Sequence, residues 1–393
     1  MNHLPVLLAP EEKLRVLFLC TGVGVYNRGI ESFFREAFNG LCATPGLEAT
    51  LCKGAGEIKP NEHVLWTLPR TGALARWVGL CIRRNAYVAE QLTSLPSTIR
   101  AIRKYRPQVI FYSDSNLGFL LYRWRRQIGV PYRLLFSNGG PCHPPFNRTD
   151  FVHQVAPLYL EEAISAGEPQ TKHFLVPYGI RVPTKPQMDA SGKRMLRAKL
   201  GLPQDRTIVL SVGWISRQHK RMHYVIEELA QLPEPRPFLL LVGAMDESSH
   251  EILKLAHDLL GEGNFRALTV TYQEVPNFYR ASDLFVLASL QEGFGRVYLE
   301  ALMHGLPTIG HRHPVIEYVL GDVGILADLS VPGNLTPVIR YQLSLLQAGE
   351  AHQNRVLGRI EEVRKRFSWE VLQPQYVQMF RDCATMPLLR NQS

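Results

Sequence analysis

"DLFVLASLQEGFGRVYLEALMHG", residues 283–305, reads as three consecutive pieces. "DLFVLAS" is a short apolar run of the strand type and "LQEGFG" a glycine turn. "RVYLEALMHG" is a helix that stops at Gly305, with Pro307 just beyond. A helix that starts directly after a strand end turns its first amides and its positive dipole end toward the turn, where they favour a phosphate. Glycine lets backbone come close to such a group. Gly293, Phe294, Gly295, Arg296 and Val297 are therefore candidates for holding a phosphate through their amides. Glu292 stands at the lip of that turn. Glu300 lies one turn into the helix, four residues past Arg296, where it can face the same side. An ionised carboxylate accepts through two oxygens and suits vicinal hydroxyls. A phosphate cradle flanked by two such carboxylates fits a nucleotide-sugar, with ribose on one side and sugar on the other. The plainer alternative is a capped helix with a solvated glutamate.

The same strand–turn–helix order recurs in "SVGWISRQHKRMHYVIEEL", residues 211–229, whose turn carries Arg217, Lys220 and Arg221. Cations placed after a strand end can neutralise a diphosphate leaving group, arginine as a planar fork and lysine as a point charge. Lys220 and Arg217 are the favoured pair.

Further out, strand-like runs alternate with amphipathic stretches along most of the chain. Residues 14–20, 48–53, 108–114 and 132–138 form one series. Residues 207–213, 238–243, 267–272, 283–289 and 307–311 form another. Strand then helix, repeated, predicts parallel sheets covered on both faces. The pattern pauses at "VPYGIRVPTKPQMDASG", residues 176–192, which reads as a linker. The expected organisation is α/β: a first doubly wound domain over 1–180 and a second over 181–368. Ligands are expected beyond the carboxyl ends of the strands, in a cleft between the two sheets.

Two strand-end loops of the first domain bear on the same site. "CTGVGVYNRGIESFF", residues 20–34, places glycines at 22, 24 and 29 before a helix, but Asn27 breaks the dinucleotide-type spacing. "FSNGGPCHPPFNRTD", residues 136–150, carries Asn138 and His143; His143 is either a contact for sugar hydroxyls or a loop histidine held between prolines. Asp114 is open in the same way. No DxD motif is present, so no metal and no cofactor is expected, and neutralisation falls to Arg, Lys and helix amides.

Composition bounds the rest. The 393 residues are 46% hydrophobic and 20% charged, with a net charge of +9. That suits two or three globular domains. No apolar run is long enough to span a bilayer, the start "MNHLPVLLAPEEK" lacks the pattern of a secretory signal, and the six cysteines form no CxxC pair. A cytoplasmic protein with reduced thiols is expected, in which the sequons at Asn147, Asn334 and Asn391 carry no meaning. Residues 1–180 hold 20 Lys and Arg against 13 Asp and Glu, the remainder 24 against 22. Arginines gather in "RWVGLCIRRNAY", "IRAIRKYRP" and "YRWRRQ". Such segments either form a solvated basic face or rest on an anionic membrane surface. No nucleic-acid motif accompanies them.

At "GIESFFREAF", "FLVPYGI", "SVGWISRQHKR", "ASDLFVLASLQEGFGRVYLEALMHGLPTI" and "FSWEVLQPQYVQMFRD" the chain resembles the GT4 family of retaining glycosyltransferases. The resemblance implies the GT-B fold, two Rossmann-like domains facing across a cleft. The first is the acceptor domain, with residues 369–393 crossing back to it as a closing helix; the second is the donor domain. It implies that Glu292 contacts donor-sugar hydroxyls, that amides around Phe294, Gly295 and Arg296 hold the diphosphate, and that Glu300 takes the ribose. Lys220 and Arg217 match the family's basic pair, Gly29 lies near the donor phosphate, and His143 stands for a cleft histidine. Trp214 departs from the family, which often has arginine there; either Arg217 takes over that charge or the diphosphate is held differently. The implied reaction moves a sugar from a nucleotide-diphosphate-sugar to an acceptor hydroxyl with retention. The basic first domain suits a lipid-linked or otherwise anionic acceptor at the inner membrane face, as in glycolipid or polysaccharide assembly. An epimerase-like enzyme on the same scaffold and a non-catalytic nucleotide-sugar-binding protein are the alternatives.

Overall fold

A computed structural model describes residues 13–387 except 27, 141, 184–187 and 347–348. The N-terminal stretch 1–12, Asn27, part of the expected linker and the sequon at Asn391 lie outside the described residues. The chain divides into two compact units. One runs to Gly179 and resumes at Trp369; the other is Ile180–Ser368.

The first unit is built on seven parallel strands: β1 Leu14–Cys20, β2 Leu47–Lys53, β3 Glu62–Val64, β4 Val109–Tyr112, β5 Arg133–Asn138, β6 Phe151–Gln154 and β7 His173–Leu175. They lie in the order β3-β2-β1-β4-β5-β6-β7. The second unit has six: β8 Ile208–Val212, β9 Phe238–Val242, β10 Phe265–Leu268, β11 Leu284–Val286, β12 Thr308–His311 and β13 Ile325–Ala327, in the order β10-β9-β8-β11-β12-β13. Both sheets are doubly wound α/β. The central strands are near-continuous apolar runs because helices cover both their faces. The chain reverses its winding direction between β1 and β4 in the first unit and between β8 and β11 in the second. Those are the two switch points where a crevice opens at the strand carboxyl ends.

The closing helix Trp369–Thr385 belongs to the first unit. Phe380 meets Phe18 and Phe111 edge-on at 5.8 and 5.4 Å, and the Tyr376 hydroxyl donates to the Pro177 carbonyl at 3.0 Å. Trp369 is seated against Gly40 and Gly179, where any Cβ would come within 2.9 and 2.7 Å of its ring.

Several elements differ from the sequence reading. β10 begins at Phe265 and ends before Thr269. The Thr271 amide and hydroxyl both donate to Glu274, at 2.9 and 2.7 Å, a local turn that draws "TVTY" out of the sheet. β3, β6, β7 and β13 were not expected. β6, "FVHQ", hides its strand character behind two polar residues that are satisfied internally. His153 donates from Nε2 to the Val176 carbonyl at 2.6 Å and accepts from the Ser137 hydroxyl at 3.1 Å, while Gln154 accepts from Asn138 at 2.9 Å. Burial lowers the His153 pKa to about 4. The start of the expected linker is packed: Val176, Tyr178, Ile180 and Val182 are buried, Tyr178 stacks on Phe33 at 3.6 Å, and a helix begins at Ala190.

Candidate active site at the second switch point

Glycines stand at the carboxyl ends of β8 and its neighbour β9. Gly213 follows β8 with φ +149, and a Cβ on Gly243, just after β9, would lie 1.8 Å from the Gly213 carbonyl oxygen, so these two strand ends touch backbone to backbone. The Lys220 stem crosses over Gly213, within 3.1 Å of where a Cβ would stand. That path carries the ammonium to the loop after β11, where Lys220 Nζ pairs with Glu292 Oε1 at 2.5 Å. The two loops that flank the switch point are thus joined by one ion pair between side chains that are only 17% and 9% exposed.

The other two cations of the turn are used differently. Arg221 adopts a left-handed backbone, φ 49, lies over the Tyr224 ring at 4.6 Å, and donates to the Leu329 and Ala288 carbonyls at 2.5 and 3.3 Å. It therefore shapes the loop. Arg217 is exposed. Burial first, then the Arg217 and Arg221 charges, lower the neighbouring His223 to about 4, so this imidazole is neutral near pH 7.

After β11 the chain turns at Gly293 and Phe294 and enters the helix Arg296–Met303 through Gly295. Gly295 is left-handed at φ +81, and a Cβ there would approach Tyr298 to 2.7 Å. It has no side chain to cap the helix, which leaves that place to backbone geometry or to a ligand. The Phe294 ring is buried against Phe367, centroids 6.1 Å apart, and anchors the turn. Gly293 and Val297 are half-buried, and the Arg296 side chain is buried. Glu300 is 8% exposed and accepts from the Tyr279 hydroxyl at 3.0 Å. Burial and the nearby Glu300 carboxylate push the Tyr279 phenol well above its ordinary value, which keeps it a donor. Tyr279 stacks on His304, centroids 5.4 Å apart, and His304 Nδ1 bonds the Glu300 carbonyl at 2.7 Å. Sequence reasoning did not single out Tyr279 and His304. The four-residue step from Glu300 to His304 was the available signal, since such residues neighbour each other on a helix. A cavity of about 830 Å³ in this unit lies at the opposite, amino edge of the strands. Lys193, Asp283, His304 and His352 are among its lining residues, and Lys220, Glu292 and Arg217 are not.

Gly29 and His143 lie in the first unit. Gly29 is exposed at the start of the helix Gly29–Leu41, and a Cβ there would meet nothing within 4 Å. The glycines that packing demands in that loop are Gly22 and Gly24, whose Cβ atoms would fall 2.3 Å from Glu31 Oε1 and 2.1 Å from the Ala55 carbonyl. The His143 side chain is 74% exposed, with Nδ1 3.7 Å from Glu162 Oε2. Asn138 is buried and ties its own loop, donating to the Cys142 carbonyl and accepting from the Cys142 amide at 2.9 Å.

The first unit's own switch point holds a dense polar cluster. Asp114, at the end of β4, accepts from the Thr21 amide at 2.7 Å and from Gln91 at 3.1 Å. Burial raises its pKa to about 6. Buried Glu90 takes both Arg70 Nη2 at 2.6 Å and the Tyr26 hydroxyl at 3.1 Å, and buried Glu31 takes Arg28. Among the described residues, no group of three or more His, Cys, Asp or Glu side chains is placed to hold a metal ion. No helix there is long and apolar enough to cross a membrane.

Comparison with known proteins bears on the fold and the family likeness. Residues 192–331, which contain all six strands of the second unit, match the family model described as glycosyl transferases group 1. N-acetyl-alpha-D-glucosaminyl L-malate synthase of Bacillus anthracis is 32% identical over 191 residues, 48% of each chain. Mannosylfructose-phosphate synthase of Agrobacterium fabrum is 26% identical, over 62% of this chain and 55% of that one. The chain spans about half the length of these curated relatives. Sucrose-phosphate synthase from Thermosynechococcus elongatus superposes with a TM-score of 0.73 at 18% identity, over 94% of this chain and 98% of that one. Anabaena HepE, solved in complex with UDP-glucose, gives 0.70 at 17% identity, over 93% and 99%. At such identities the likeness is one of fold, and it covers both units. Residues 192–331 of the second unit thus resemble the glycosyl transferases group 1, and the fold of the chain is GT-B.

Proposed function

We propose that the protein transfers a sugar from a nucleotide-diphosphate-sugar to an acceptor hydroxyl, with retention at the anomeric carbon. The observation that carries the reading is the Lys220–Glu292 pair, bridging the second switch point beside a glycine-led helix start. In this scheme the amides from Gly293 to Val297 hold the diphosphate, with Gly29 near the donor phosphate. Lys220 and Arg217 offset the charge that builds on the leaving oxygen as the glycosidic bond breaks. Glu292 accepts from hydroxyls of the donor sugar while remaining within reach of Lys220, so one carboxylate fixes both the sugar and the cation. Glu300, with one oxygen engaged by Tyr279, accepts from the ribose hydroxyls. Attack occurs on the face the diphosphate leaves, and the departing phosphate oxygen takes the acceptor proton. His143 is proposed as an acceptor-side contact. Neutralisation by cations and amides replaces a bound metal, so turnover is expected to be insensitive to chelator.

The relatives support this reading in kind. Those named are, by their names, synthases of a glucosaminyl malate and of a mannosylfructose phosphate, and others include a lipopolysaccharide core biosynthesis glycosyltransferase and an alpha-monoglucosyldiacylglycerol synthase. A sugar or lipid-linked acceptor is proposed for this chain, at the cytoplasmic face of a membrane. The test is a thermal-shift panel of nucleotide-sugars on the full chain, followed by product analysis with and without acceptor. A donor that raises the melting temperature of the wild type and not of Glu292→Gln supports the site. Conversion of donor alone to an isomeric nucleotide-sugar would assign an epimerase instead.

A further inference from the structure

The helix Ala73–Cys81 of the first unit has its side-chain sizes inverted. Its buried residues are Ala75 and Gly79, while Leu74, Trp77 and Leu80 are 56%, 63% and 76% exposed. Three-residue spacing puts those large apolar groups on one face. A helix of a globular unit buries its large apolar stripe and exposes polar residues; here the small residues face inward.

The cations around this face are held in place. A Cβ on Gly79 would lie 2.9 Å from the Arg84 carbonyl, so the helix presses on the turn that follows it. That turn is fixed by Arg83 N to the Leu80 carbonyl at 3.0 Å and Arg84 N to the Gly79 carbonyl at 2.8 Å, with Arg83 left-handed at φ 53. Arg76, Arg83 and Arg84 are all exposed, and Ile82 between them is 39% exposed. Residues 63–89 contain no Asp or Glu. Arg70, at the base of the element, is held inward by buried Glu90 and lies 4.1 Å from the Tyr26 ring.

An indole and two leucines beside arginines, in a segment of the chain without acidic residues, is a surface matched to the boundary between lipid headgroups and acyl chains. We propose that this face docks the first unit on an anionic lipid bilayer. The proposal rests on the preceding reading only for its purpose, which is to bring a lipid-linked acceptor within reach; the contact itself stands on the helix. Burial of Leu74, Trp77 and Leu80 supplies attraction that does not depend on headgroup charge, and Arg76, Arg83 and Arg84 add the charge-dependent part.

The experiment is co-sedimentation of the full chain with vesicles of phosphatidylcholine alone and of phosphatidylcholine mixed with phosphatidylglycerol. Donor-induced thermal shift is measured on the same samples. Wild type is expected to partition strongly to the mixed vesicles, weakly to the neutral ones, and less as salt rises. Trp77→Ser with Leu80→Ser is expected to lose at least about tenfold on both. Arg83→Ala with Arg84→Ala is expected to lose about fivefold per arginine on the mixed vesicles and nothing on the neutral ones. All four side chains are exposed, so melting temperature and donor shift are expected to stay at wild-type values. The proposal is overturned if wild type ignores the mixed vesicles, or if the serine pair binds them as wild type does. It is equally overturned if wild type dimerises through this face and the serine pair is monomeric. Loss of the donor shift with vesicle binding intact would count against the proposed reaction and leave the docking face standing.

Discussion

The two switch points are made of similar residue types and arranged in opposite ways. Between β1 and β4 the charges satisfy one another: Glu90 with Arg70 and Tyr26, Glu31 with Arg28, Asp114 with a backbone amide and Gln91. Between β8 and β11 the Lys220–Glu292 pair joins the two flanking loops beside a helix entered through Gly295. A carboxylate ringed by fixed donors is structural, because displacing any of them leaves a buried charge without compensation. The Lys220–Glu292 pair instead joins two loops beside a glycine-led helix start, where the proposed reading has it exchange partners with a ligand. On the proposed reading, position in the topology does not by itself mark the working site; what the loop charges join does.

The comparison breaks first at Lys220. Lys220→Ala is expected to lower kcat/KM by about 10²–10³-fold, the usual cost of removing a group that stabilises a leaving charge, with the melting temperature little changed. Wild-type turnover in that variant would place the chemistry elsewhere. Arg70→Ala is the counterpart in the first unit. It is expected to cost about 3 kcal/mol in denaturant unfolding, since it strips the cation from a buried carboxylate, while the donor-induced thermal shift remains. A lost donor shift and unchanged stability would reverse the roles assigned to the two clusters.

A pH series sharpens the same contrast. The folded pKa of Asp114, about 6, exceeds its ordinary value of 3.8. The folded chain therefore holds the proton more tightly, and this contribution to stability is complete below about pH 4 and lost as pH rises to about 6. Asp114→Asn is expected to remove that loss, worth about 3 kcal/mol, so its melting temperature gains on wild type between those limits. Parallel melting curves would show the Asp114 proton to be irrelevant. The smallest effect is expected at Glu300→Gln, which keeps the Tyr279 contact and weakens the ribose acceptor. Donor KM is expected to rise about tenfold with kcat near wild type, as for a group whose hydrogen bond to ligand is the same in ground and transition states.

Much of the fold could be read from the sequence because its strongest signals are local. Apolar runs bounded by turn residues placed β1, β2, β4, β5, β8, β9, β11 and β12, and the strand–turn–helix at 283–305 placed the second switch-point loop. What escaped depended on distant partners. β6 looks too polar for a core strand until Ser137, Asn138 and Val176 are seen to satisfy it. The Lys220–Glu292 pair joins residues 72 positions apart, and no spacing rule foretells it. Arg221 resembles Lys220 in the chain and differs from it in space, because its left-handed backbone turns it onto two carbonyls. Tyr279 lies outside the strand–turn–helix stretch and His304 at its very end, and both were passed over although both bond Glu300.

The Ile180 amide donates to the Phe367 carbonyl at 2.8 Å, and Ile180 bridges Ser368, so the second unit begins and ends at one spot. Genetically it is an insert. Residues 180–368 form one continuous segment, whereas the first unit is drawn from both sides of it. The remainder is in two pieces whose cut ends, Gly179 and Trp369, already touch, and a short graft between them would restore an unbroken backbone.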